Sequence, residues 1–87
     1  MESYIYNIPV FVLEDPSEEV KIPSFCEEVE ELLPLNLLNN IEVVYIGQFK
    51  ELKDKNAAYL NGGIYMSSKE PTVSDMVENF VHETAHA

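Results

Sequence analysis

Ile41-Glu42-Val43-Val44-Tyr45-Ile46, followed by Gly47, is apolar at alternate and intervening positions alike, with Glu42 the exception. A β-branched and aromatic run that is apolar towards both faces suits a strand covered on both sides, and this one is expected at the centre of a sheet. On its carboxyl side, Ala57-Ala58-Tyr59-Leu60 and Ile64-Tyr65-Met66-Ser67 flank Asn61-Gly62-Gly63. Asparagine and glycine accept the positive backbone dihedrals of a tight turn, so these runs are expected to form a hairpin. Thr72 with Asp75 three residues on marks a helix start. Val73, Val77, Phe80 and Thr84, with Met76 and Val81 beside them, give that helix an apolar stripe running towards the end of the chain.

On the amino side of the central run, Phe25, Val29, Leu32 and Leu33 recur at helical spacing while Glu27, Glu28, Glu30 and Glu31 fill the other side. Ser24 and Glu27 have the spacing of a capping box, and Pro34 marks the stop. The opening run Tyr4 to Leu13 reads as the first strand, with Pro9 placing it at an edge or at an irregularity. An acidic turn, Glu14 to Glu19, follows it. Two connections stay open: Leu35 to Asn40 between a helical turn and a loop, and Phe49 to Lys55 between a surface helical turn and an irregular link. The pattern predicts an α+β fold, in which a small twisted mixed sheet with a hairpin packs against an amphipathic helix and a carboxyl-terminal motif helix. At 87 residues there is room for one domain, 1–87.

Composition narrows the function. Sixteen acidic residues face five lysines and no arginine, a net charge of -11, which argues against nucleic acid or an anionic membrane surface as partner. Eight of the sixteen acids lie between Glu14 and Glu31, either as a solvated face or as a docking surface for a basic partner. The single cysteine, Cys26, excludes an internal disulfide and reads as a reduced, partly buried thiol. With no membrane-length apolar run and no basic amino-terminal region, the sequence reads as cytoplasmic.

The last predicted helix carries His82-Glu83-Thr84-Ala85-His86, and these are the chain's only two histidines. Four-residue spacing puts both imidazoles on one side of a helix, where their nitrogens can converge on one ion, and imidazole suits zinc. Glu83, one position round, can take a proton from metal-bound water without itself being a ligand. The competing reading makes His82 and His86 ordinary polar residues near a helix end, where a cationic imidazole is favoured.

In this motif the chain resembles the zincin metallopeptidases, defined by the His-Glu-x-x-His helix. The resemblance implies zinc held by His82 and His86, Glu83 as general base, and an edge strand bordering the cleft and pairing with an extended peptide or protein substrate. The stretch Ala57 to Ser67 ahead of Val81 to Ala87 is similar to that arrangement. Tyr65 reads either as a contributor to oxyanion stabilisation or as a structural aromatic. The family takes its third protein ligand from beyond the motif, and one residue follows His86 here. An upstream carboxylate (Asp75, Glu78 or Glu42) would have to reach the same point. The reading therefore expects the 87 residues to be the amino-terminal part of a metallopeptidase, inactive alone. Two alternatives belong to other classes: a noncatalytic acidic protein-binding module, and a dimer sharing a structural metal through His82 and His86 of two terminal helices.

Overall fold

The computed structural model describes residues 3–16, 18, 20–52 and 55–85. In chain order the elements are β1 (Ser3–Ile5), β2 (Ile8–Val12), α1 (Ile22–Leu32), β3 (Val43–Gly47), β4 (Ala57–Leu60), β5 (Gly63–Ser67) and α2 (Val73–Thr84). Single 3-10 turns at Leu35–Leu38 and Lys50–Leu52 fill the two connections whose reading the sequence left open. Among the described residues the five strands form one mixed, twisted sheet in the order β1-β2-β3-β5-β4. β3 is central, parallel to β2 on one side and to β5 on the other, while β1 and β4 close the sheet as antiparallel edges.

The opening run is two strands rather than one. It breaks at Tyr6, which adopts a φ of 56°, a left-handed conformation costly for a bulky side chain. Hydrogen bonds to the end of α1 hold it there. The Tyr6 amide donates to the Glu30 carboxylate at 2.7 Å, and its hydroxyl reaches the Leu33 carbonyl at 2.7 Å and the Glu30 carbonyl at 3.0 Å. The hairpin is thereby tied to the helix layer. Pro9 lies opposite Tyr4 in β1, and the ladder to β3 begins one residue later at Val10, so the missing donor falls just outside the parallel pairing.

α1 begins two residues before Ser24, with Pro23 in its first turn and Lys21 as N-cap. The Ser24–Glu27 capping box is therefore not formed: proline, whose absent N–H costs nothing in a first turn, sets the start instead. Leu33 caps the far end in extended backbone just before Pro34, as expected. Leu32 is exposed at 62 % and it is Leu33 that packs against the core, because the helix turns Ile22, Phe25, Cys26 and Val29 inward. The second hairpin has a two-residue turn: Asn61 and Gly62 take φ of 49° and 86°, and Gly63 already belongs to β5.

Both helices cover the same face of the sheet. α1 packs against β1, α2 against β4 and β5, and the two meet where Phe25 and Phe80 pack edge to face at 5.8 Å. Ile5, Val10, Val44, Ile46, Ile64 and Met66 point into this layer with Val29 and Met76. The opposite face carries no helix among the described residues. It presents a row across neighbouring strands, in which Phe11 stacks on Tyr45 at 5.8 Å, Tyr45 on Tyr65 at 5.0 Å, and Phe49 meets Tyr65 edge-on at 5.2 Å. No described helix is long and apolar enough to cross a membrane.

Candidate metal centre

α2 is the element that presents the motif, and its start is firmly set. The Thr72 hydroxyl oxygen accepts from the Asp75 amide at 3.1 Å while its proton goes to the Asp75 carboxylate at 2.9 Å. Met76, Val77 and Phe80 are buried against the sheet and α1, fixing the rotation of the helix. At the other end the Thr84 hydroxyl donates back to the Phe80 carbonyl at 2.8 Å, and Ala85 keeps right-handed helical backbone. Helical geometry thus holds through all the described part of the motif.

On this helix His82 is exposed and Glu83, next to it, is half-buried. His86, expected as the second ligand, lies outside the described residues, as do Ser17 and Glu19 of the expected acidic turn. In the motif, α2 thus offers one described imidazole and one described carboxylate at adjacent positions.

The carboxylates considered as a third ligand are committed elsewhere or not gathered. Asp75 is tied into the cap and precedes His82 by seven residues, about 10 Å along the helix. Glu42 sits by the β4–β5 turn, its amide donating to the Gly62 carbonyl at 2.7 Å and its carboxylate beside the Gly62 α-carbon. Glu78 is exposed one turn before His82. Among the described residues no group of three or more His, Cys, Asp or Glu side chains stands close enough together to hold a metal ion. Tyr65 belongs to the aromatic row on the face opposite α2, so its ring points away from the motif helix; it is a structural aromatic and not an oxyanion group.

Asn79 adds something the motif alone did not reveal. Its side-chain amide nitrogen is buried and has no hydrogen-bond partner among the described residues. It precedes His82 by three positions and Glu83 by four, which places it on the motif's side of α2. A buried donor left open is uncommon in a folded protein. The available sequence signal was this spacing, a polar residue one turn ahead of the motif. Comparison of the chain with protein-family models, curated proteins and solved structures finds no match.

Proposed function

We propose that the protein to which this chain belongs is a zinc-dependent peptidase whose motif helix is α2. The observation that carries the reading is His82-Glu83 on a well-capped amphipathic helix packed under the antiparallel edge strand of a mixed sheet, in the sequence frame His82-Glu83-Thr84-Ala85-His86. His82 and His86 hold the metal, and the third protein ligand comes from outside the described residues. Zinc in such a site supplies Lewis acidity to a carbonyl and lowers the pKa of water. Glu83 takes the proton of the attacking water and returns it to the leaving amine, a transfer its place beside His82 makes short. The run Ile64 to Ser67, expected as the edge strand beside an extended substrate, belongs to the interior strand β5, paired with β3 and β4; the substrate lies instead along β4, whose outer edge has no strand partner among the described residues.

The second reading, a noncatalytic acidic module, draws on Glu27, Glu28 and Glu31, exposed along one side of α1. Metal analysis of protein purified without added zinc separates the two. Bound zinc at one per chain, lost in His82→Ala, is the expected result; metal-free protein in both would leave only the module. One zinc per two chains, with dimerisation that depends on His82, would point to a closed structural site that hydrolyses nothing.

A further inference from the structure

Four of the five lysines fall between positions 50 and 69 of a chain whose net charge is -11. The fold brings two of them, Lys55 and Lys69, to the wall of one cavity of about 320 Å³. This cavity opens beyond the carboxyl ends of the parallel strands β3 and β5: Gln48 and Phe49 follow β3 directly and Ser67 ends β5. In open α/β sheets ligand crevices lie outside the carboxyl ends of the strands, and the parallel pair β3 and β5 supplies two such ends here.

The other groups on the wall are mostly donors. Ser67 is buried, and its hydroxyl oxygen accepts from the Lys69 amide at 3.1 Å, which leaves its own proton to give. The Gln48 side-chain amide is held by its bond to the Ser68 hydroxyl at 2.8 Å, and the Ser68 amide donates to the Gly47 carbonyl at 3.1 Å, so the two strand ends are cross-linked at the cavity. Asn56 adds a second side-chain amide, and Glu70 the one described carboxylate. The fifth lysine, Lys21, lies elsewhere, in a cavity it shares with Asp15 and Glu18.

We propose that the cavity between Lys55 and Lys69 binds the phosphate group of a small ligand, with the Ser67 hydroxyl as a further donor. Two ammonium groups with a hydroxyl donor beside them match the charge and acceptor oxygens of a phosphate dianion, on which lysine acts as a compact point charge. Glu70 on the wall and the net charge of -11 oppose an anion and weaken its binding.

The probe is inorganic phosphate, titrated at constant ionic strength into 15N-labelled protein while the amide signals of Ser67, Ser68 and Lys69 are followed. Saturable shifts at these amides are expected. Lys69→Met or Lys55→Met, both surface substitutions that keep the spectrum dispersed, should weaken binding about tenfold, and Lys21→Met should leave it unchanged. Shifts that never saturate, equal weakening by Lys21→Met, or acetate binding as tightly as phosphate would each overturn the proposal.

Discussion

Tyr6 shows how one side chain can settle a local conflict. Its left-handed backbone is unfavourable in isolation, and the bonds from its amide and hydroxyl to Glu30 and Leu33 offset that cost while satisfying carbonyls at the end of α1. Tyr6→Phe keeps the ring and removes the hydroxyl, and should lower stability by about 1–2 kcal/mol in urea unfolding. Cys26 obeys a simpler rule. Burial, followed by the charge of Glu30, pushes its thiol up from 9.0 to about 11. The folded state therefore holds its proton where the unfolded chain has lost it. The stability contributed by the neutral thiol is complete below pH 9 and lost as the pH rises towards 11. Cys26→Ala should flatten that part of the stability profile, and alkylation of native Cys26 at neutral pH should be slow beside that of the unfolded chain.

Elements whose signal is local were legible in the sequence. The central strand, the Asn61-Gly62 hairpin and the Thr72–Asp75 start of α2 form as turn chemistry and periodicity indicate, although β3 runs Val43–Gly47 and leaves Ile41 and Glu42 outside it. The elements that went astray depend on distant partners. Tyr6 gives no local sign of a turn, since what stabilises its φ is a helix more than twenty residues away. The Ser24–Glu27 pair looks like a cap but stands inside a helix that Pro23 has already started. At the candidate site, residue identities and their helical side were readable, whereas the burial of Asn79 and the enclosure of Lys55 with Lys69 come from tertiary packing. The second hairpin offers the clearest test at this scale. Gly62 has a φ of 86°, and a Cβ there would come within 2.9 Å of the Glu42 carboxylate. Gly62→Ala should cost about 1–2 kcal/mol, mostly through the backbone, because the carboxylate end can swing aside; an unchanged thermal midpoint would show that the turn has another conformation open to it.

Across the whole molecule the two faces of the sheet differ in kind. One is sealed by α1 and α2 around the Phe25–Phe80 contact; the other leaves Tyr4, Phe11, Leu13 and Leu60 exposed around a row of stacked rings. The motif helix belongs to the sealed side. There its rotation is fixed by Met76, Val77 and Phe80, which presents Glu83 half-buried and His82 to solvent. The proposed function gives binding to the histidines and proton transfer to Glu83, and the two roles come apart under substitution. The most direct measurement is hydrolysis of an extended peptide by the protein loaded with zinc, wild type against Glu83→Gln, with zinc content determined in both. The account predicts equal zinc in the two proteins and a kcat lowered by a factor of about 100 or more in the variant. Undiminished hydrolysis by Glu83→Gln at equal zinc content would contradict it.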